Sequence, residues 1–270
     1  MPKRYAFQVQ YIGKNYAGSQ IQFENGKEID EPTIQDELEK AICTLIKSKK
    51  AKFFEDEISE SVADIEKRPI KTVFSGRTDR GVNSKGQVVH FDTDRTIVAS
   101  KFVYSLNEIL PKDISISNLK EVESSFHAQK SAQKRFYRFE FINRRYKNAF
   151  DGDLMLVKFP IDLERVQKSL DYLKGEHDFS AFKSSGTLNP SKICFIYDAR
   201  VEKQGDKIIV DIVGNRFLYN MVRTIIGTLL EIEGHNLTPE HMKDVLESKD
   251  RTKAGRTVSP YGLTLINVEY

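Results

Sequence analysis

Residues 75–91 set one carboxylate among arginines and glycines. The stretch reads Ser75-Gly76-Arg77-Thr78-Asp79-Arg80-Gly81-Val82, then Asn83-Ser84-Lys85-Gly86-Gln87-Val88-Val89-His90-Phe91. Glycines at 76, 81 and 86 place a tight loop between two strand-like runs. Guanidinium groups at 77 and 80 favour the ionised form of Asp79. A carboxylate held charged in a turn can act as a nucleophile or an electrostatic stabiliser. The segment also reads as an ordinary turn, since Asp and Gly are standard turn residues.

Two further positions invite chemistry. Tyr137 stands between Arg135 and Arg138 in RFYRFEFI. An aromatic ring beside arginine can take an unstacked base; it can equally be a core tyrosine on one face with Phe139 and Phe141. Arg223 lies in NRFLYNMVRTIIGTLLEIEG, read as a helix from Arg216 to Glu233. There Arg216, Asn220, Arg223 and Gly227 form a stripe apart from the apolar face of Phe217, Met221, Val222, Ile225, Ile226 and Leu229. Gly227 would allow close approach, and Arg223 could meet a loop carboxylate or simply face water. His90 and His127 read as structural histidines, and the other three histidines lack metal spacing.

The elements that must position these groups follow from periodicity. RYAFQVQY (4–11) alternates, with Tyr5, Phe7, Val9 and Tyr11 on the buried side. Thr33 to Ile46 is an amphipathic helix capped by Thr33. Residues 49–70 form a dense mixture of both charges and read as a solvated insertion. Strands are expected at 71–75, 87–92, near 114–122 and at 135–142, and a helix at 99–109 that stops before Pro111. Further on, Asp162 to Leu173 is a helix, 195–203 and 207–213 form a hairpin across Gly205-Asp206, a helix starts at Thr238-Pro239, and 263–269 is a closing strand. Strands and helices recurring with hairpins favour an α+β fold with an antiparallel sheet.

Composition narrows the class. The chain has 270 residues, with 42 Lys and Arg against 39 Asp and Glu, a net charge of +3. That mild excess permits a nucleic-acid partner if the positive charge gathers on one face. Cys43 and Cys194 form no CxxC pair and have no histidine at ligand spacing, so neither zinc nor a disulfide framework is expected. No phosphate loop or dinucleotide fingerprint is present, and no cofactor is expected. Met1 to Tyr5 is followed by no apolar run, and Thr224 to Ile232 is too short to span a bilayer; both features point to a cytoplasmic protein without a membrane partner.

GRTDRGV followed by GQVVHF resembles the catalytic motif of the tRNA pseudouridine synthase A family. FHAQKSAQKRFYRF (126–139), NRFLYNMVRTIIGTLLEIEG (215–234) and GLTLINVEY (262–270) resemble further blocks of that family, in its order and across nearly the whole chain. The resemblance implies an isomerase that converts uridine to pseudouridine in tRNA, at positions 38, 39 and 40 of the anticodon stem-loop. The same chemistry at another RNA position and a non-catalytic RNA-binding factor are the alternatives. Carried over, Asp79 matches the catalytic aspartate and Arg223 the basic residue paired with it. Tyr137 matches the tyrosine that stacks on the target base, Leu265 the apolar pocket floor, and Arg77 the RNA-facing arginine of the motif. Arg80, Lys85, Arg135, Arg138 and Arg216 are the expected phosphate contacts. The family implies two RRM-like halves, here 1–118 and 119–270, whose mostly antiparallel sheets join around a central basic cleft, and it implies a homodimer. Three positions depart from the family pattern. Arg80 stands where Ala or Lys is commoner, Asn83 where His is usual, and Ser19 replaces the Trp of the N-terminal Y-x-G-W-Q motif.

Overall fold

The computed structural model describes residues 2–24, 27–28, 30–47, 54, 70–185 and 191–270. Most of the charged insertion at 49–70 lies outside them. The chain divides into two compact units, Met1–Ala132 with Tyr270, and Gln133–Glu269. The expected boundary at residue 118 falls inside a strand, which stays whole in the first unit.

In the first unit β1 (Lys3–Tyr11) is the middle strand. It pairs antiparallel with β5 (Asn83–Thr93) on one side and β6 (Ile114–Val122) on the other. Between β1 and β5 in sequence come a two-residue pair, β2 (Phe23–Glu24) and β3 (Lys27–Glu28), and β4 (Thr72–Phe74), which pairs with β5. The alternation of 4–11 turns Tyr5, Phe7, Val9 and Tyr11 inward, all at most 4% exposed. Helix α1 (Ile34–Ile46) and helix α2 (Ala99–Ile109) supply the other side of this core through Ile34, Leu38, Ile42, Phe102 and Leu106. Thr33 caps α1 as expected: its hydroxyl oxygen accepts the Asp36 N–H at 3.2 Å. Such a cap is worth about 1 kcal/mol. Phe91 of β5 packs on Phe102 of α2 with ring centroids 6.4 Å apart and binds helix to sheet.

The second unit carries an antiparallel sheet in the order β12 (Leu263–Glu269), β7 (Lys134–Asn143), β11 (Lys207–Gly214), β10 (Ile193–Gln204), β9 (Gly175–Asp178). The short β8 (Leu156–Val157) pairs parallel with β7. The β10–β11 hairpin turns at Gly205 with φ 60°, a left-handed conformation that glycine adopts without penalty. Helices α3 (Leu163–Asp171), α4 (Met221–Gly234) and α5 (Glu240–Ser248) belong to this unit. Phe141 and Val210 of the sheet share an internal space with Val166 of α3 and with Ile226 and Leu229 of α4.

One boundary differs materially from the sequence reading. Helix α4 begins at Met221, not Arg216, because Asn220 adopts a left-handed conformation at φ 61°. A left-handed residue interrupts the right-handed hydrogen-bond ladder, so residues 216–220 approach the helix as a loop and turn. Arg216 and Arg223 therefore do not share a helical stripe. The last helix also starts later, at Glu240, with Thr238 accepting the His241 N–H through its carbonyl at 3.1 Å.

Candidate active site

The loop bearing Asp79 is fixed by polar groups buried beneath it. Thr78 is 2% exposed and its hydroxyl meets the Tyr11 hydroxyl at 2.8 Å. The Thr78 N–H donates to Ser19 Oγ at 2.8 Å, and the Ser19 N–H donates back to the Thr78 carbonyl at 3.1 Å. Gln87, fully buried in β5, donates from its side chain to the Gly76 carbonyl at 2.8 Å and accepts the Ser75 hydroxyl. The turn closes where the Val82 N–H meets the Asp79 carbonyl at 3.1 Å. Asp79 itself is half-buried and bridges to Gly18 in an isolated antiparallel pair.

Two glycines let the chain come this close. Gly18 has φ 133°, and a Cβ there would stand 2.9 Å from the Thr78 carbonyl oxygen. A Cβ on Gly13 would stand 2.1 Å from the Val82 carbonyl oxygen. The N-terminal loop 13–20 thus forms the wall against which the Asp79 loop is cast.

All three departures from the family motif lie on this wall or face it. Ser19 provides the acceptor for Thr78. Asn83 accepts the Gly13 N–H at 2.9 Å. Arg80, exposed, makes a two-pronged ion pair with Glu31, one prong at 2.9 Å. Each departing residue makes a tie within the loop assembly, and the first two brace the backbone on either side of Asp79. Arg77 and Lys85 are exposed.

In the second unit the structure brings Tyr137 and Leu265 together. They are direct partners across β7 and β12, with Ile212 of β11 on the other side of Tyr137. Directly opposed residues share a sheet face, so the three form one row. Leu265 and Ile212 are at most 1% exposed, while Tyr137 is half-buried and its ring meets Phe217 edge-on at 5.0 Å. Tyr137 shares its face with the buried Phe139 and Phe141, and it is the least covered of the three.

Arg223 sits in the first turn of α4. Its Nε donates to the Val258 carbonyl at 2.8 Å and one Nη to Asn220 Oδ1 at 2.6 Å. These contacts set the direction of a partly buried guanidinium. The approach of 254–258 to α4 depends on Gly227: a Cβ there would lie 1.8 Å from the Arg256 carbonyl oxygen. Close approach at Gly227 was expected, and what approaches is backbone.

The remaining cations divide. Arg135 donates to the Asn215 carbonyl, and Arg216 is half-buried in the loop before α4. Arg138 occupies the face of β7 opposite to Tyr137, where Asp211 holds it by two bonds of 2.8 and 2.9 Å. This pairing raises the Arg138 pKa.

His90 and His127 are both tied to backbone N–H groups. His90 is buried, and its Nδ1 accepts the Ala128 N–H at 3.1 Å. Burial first, then the charge of Arg4, lowers its pKa to about 4, so its ring stays neutral. His127 Nδ1 accepts the N–H groups of Gln129 and Lys130 at 3.2 and 3.3 Å. Cys194 is fully buried, and burial raises its thiol to about 11, which leaves it inert. Among the described residues no helix is long and apolar enough to cross a membrane.

Reading along the sequence assigned no scaffold role to Ser19, Tyr11, Gln87 or Asn220. A glutamine inside the apolar run of β5 was a signal, since a buried amide must find partners. The tyrosine read only as a buried strand residue, and the serine only as a departure from the family motif.

Residues 170–270 match the family model described as tRNA pseudouridine synthase. Over the whole chain, it is 38% identical across 263 residues to tRNA pseudouridine synthase A of Thermoanaerobacter sp. (strain X514), covering 97% of both chains. It is 36% identical across 263 residues to the protein of that name from Bacillus subtilis (strain 168), again covering 97% of each. Against the Colwellia psychrerythraea protein it is 35% identical across 268 residues, covering 99% of this chain and 93% of the relative. The fold and these matches define an α+β enzyme of the isomerase class. The chain belongs to the tRNA pseudouridine synthase A family.

Proposed function

We propose that this chain isomerises uridine to pseudouridine in tRNA, at positions 38, 39 and 40 of the anticodon stem-loop. The observation that carries the reading is the Asp79 loop. Its motif stands on a buried polar scaffold that fixes the backbone on both sides of the carboxylate while leaving the carboxylate partly accessible. A fold that needed only a turn would not spend buried Ser, Thr, Gln and Tyr side chains on it.

The reaction breaks the C1′–N1 glycosidic bond, turns the uracil and joins C1′ to C5. The C5 proton leaves and N1 regains one, so no net redox change occurs and no cofactor is required. Asp79 is the catalytic carboxylate. Tyr137 stacks on the target base and Leu265 lies beside it as the pocket floor, offsetting the few kcal/mol needed to unstack a nucleotide. Arg223 is the basic residue of the catalytic set. Arg77, Arg80, Lys85, Arg135, Arg138 and Arg216 contribute phosphate contacts, so binding weakens as salt rises; Asp211 holds the Arg138 guanidinium in place. The architecture that accompanies this reading is two RRM-like halves with joined sheets around a central basic cleft, working as a cytoplasmic homodimer.

The test is tritium release from unmodified tRNA labelled at uridine C5, with wild type beside Asp79→Asn. Wild type releases tritium; the variant binds tRNA with near-normal affinity and releases none. Normal turnover by Asp79→Asn sinks the assignment. Release at nucleotides outside the anticodon arm keeps the chemistry and moves the target. Binding by wild type without any release makes the chain a non-catalytic RNA-binding factor.

A further inference from the structure

Residues 254–258 are bound to α4 at successive points. The Gly255 N–H donates to Thr228 Oγ1 at 2.9 Å, the Thr257 and Thr224 hydroxyls meet at 3.2 Å, and the Val258 N–H donates to the Arg223 carbonyl at 3.4 Å. Gly255 comes so near that a Cβ on it would stand 2.6 Å from the Gly227 carbonyl oxygen. Arg251 braces this strip from within: its guanidinium donates to the Ala254 carbonyl at 3.2 Å and to Thr257 Oγ1 at 3.1 Å. The strip opens on a 3-10 turn, Arg251–Lys253, capped by Asp250. That carboxylate accepts the Thr252 N–H at 2.9 Å and the Thr252 hydroxyl at 2.8 Å, so it is turned to its own turn.

Two cations stand on this strip. Lys253 and Arg256 are exposed, and among the described residues neither side chain makes a hydrogen bond or a close ion pair. Other arginines of the same unit are met by carboxylates: Asp211 meets Arg138 and Arg200, Asp151 and Asp206 meet Arg144, and Glu233 meets Arg165. From 249 to 256 the chain carries Lys249, Arg251, Lys253 and Arg256 against the single carboxylate of Asp250. Lys249 reaches Asp178 at 3.9 Å and Arg251 is turned inward, which leaves Lys253 and Arg256 as the pair open to a ligand. A local surplus of positive charge of this kind fits an anion that carries several charges.

The same strip directs Arg223, whose Nε donates to the Val258 carbonyl at 2.8 Å. Arg256 lies two residues from Val258, at most about 7 Å of chain. An exposed cation on a loose loop loses loop freedom when it grips a ligand. Here the backbone is already fixed, so only the side chain has to order. We infer that Lys253 and Arg256 grip the tRNA phosphates beside the target nucleotide, Arg256 through a two-pronged guanidinium contact and Lys253 as a point charge. Neither is among the residues that the family resemblance singles out. The contact rests on the tRNA reading of the site and names where phosphates lie on the second unit.

The test is tRNA binding by the full chain at about 50 and 200 mM salt, with tritium release alongside, for wild type, Lys253→Gln, Arg256→Gln, Arg256→Lys and the Lys253→Gln/Arg256→Gln chain. Lys243→Gln, an exposed position on α5, is the control. Each glutamine on the strip raises Kd at the lower salt at least about threefold and lowers the ratio of Kd between the two salts by about threefold, the share of one phosphate contact over that range. KM rises with Kd, and kcat at saturating tRNA stays within about twofold. Arg256→Lys keeps the charge and recovers most of the affinity. All variants melt as wild type does in circular dichroism, because the altered side chains are exposed. Equal weakening by Lys243→Gln reduces the effect to net charge and overturns the contact. Unchanged Kd and salt response in the double variant overturn it as well, with wild-type tritium release left standing. A fall in kcat with Kd unchanged assigns Arg256 to the seam that directs Arg223 and likewise overturns it. If wild type binds tRNA, the double variant shows the reduced salt response and no tritium is released, the contact stands and the proposed reaction falls. A wild type that binds no tRNA overturns both.

Discussion

Thr78 and Ser19 hold each other from both sides. The Thr78 N–H reaches Ser19 Oγ at 2.8 Å and the Ser19 N–H reaches the Thr78 carbonyl at 3.1 Å, across 59 residues of sequence. Both residues are at most 2% exposed. The residue after Thr78 is the candidate catalytic aspartate, so this pair sets where Asp79 starts.

Ser19→Ala removes the acceptor and leaves a buried N–H unpaired, at a cost of about 1–3 kcal/mol. The loss should appear as a lower melting temperature and a larger fall in kcat than in tRNA affinity, because the side chain faces the loop scaffold. Unchanged kcat in a destabilised variant would show that Asp79 does not depend on this tie.

Tyr137 gives a second separation of roles. Tyr137→Leu loses the stacking face and should reduce kcat/KM by roughly 10- to 100-fold, the equivalent of about 1–3 kcal/mol. Tyr137→Phe keeps the ring and should stay within about threefold. Tyr137→Phe also keeps the edge-on meeting with Phe217, worth about 1 kcal/mol, which the Leu variant loses. If the Leu variant matches wild type in tritium release, Tyr137 is a core residue and not a base platform.

Gly227→Ala tests the seam between α4 and residues 254–258. The added methyl would stand 1.8 Å from the Arg256 carbonyl oxygen, so backbone must move. We expect a loss of about 3 kcal/mol, read by chemical denaturation. Val258 holds the Arg223 guanidinium, so activity should fall further than the folded fraction accounts for. Normal activity per folded molecule would separate Arg223 from this seam.

His90 makes stability depend on pH. Its folded pKa is about 4 against an ordinary 6.5. Between those values the unfolded chain takes up a proton that the folded chain refuses. Stability therefore drops as pH falls from 6.5 toward 4 and levels off below that. The contribution is on the order of 1–2 kcal/mol, after allowance for solvent screening. His90→Gln should flatten the slope of melting temperature between pH 7 and 5.5; an unchanged slope would assign it to other groups.

Much of this was written locally. Thr33 before an apolar 3.6-residue pattern announced α1, Pro111 stopped α2, and the alternation of 4–11 and 135–142 placed two strands with their inner faces, because these signals act over one or two turns. The order of motif blocks named the family and singled out Asp79, Tyr137, Arg223 and Leu265. Periodicity misplaced the start of α4, since an apolar stripe continues on paper through a left-handed Asn220 that ends the helix in space.

The sequence by itself determined residue types, local elements and the family. Tertiary structure decided which distant groups meet: Ser19 with Thr78, Asn83 with Gly13, Gly227 with the Arg256 backbone, and Tyr137 between Ile212 and Leu265. It also decided which apolar residues stay outside, as Phe150 does beside the buried Phe139 and Phe141. Strand register and loop closure are long-range choices made by the summed burial of whole faces, and no local pattern carries them.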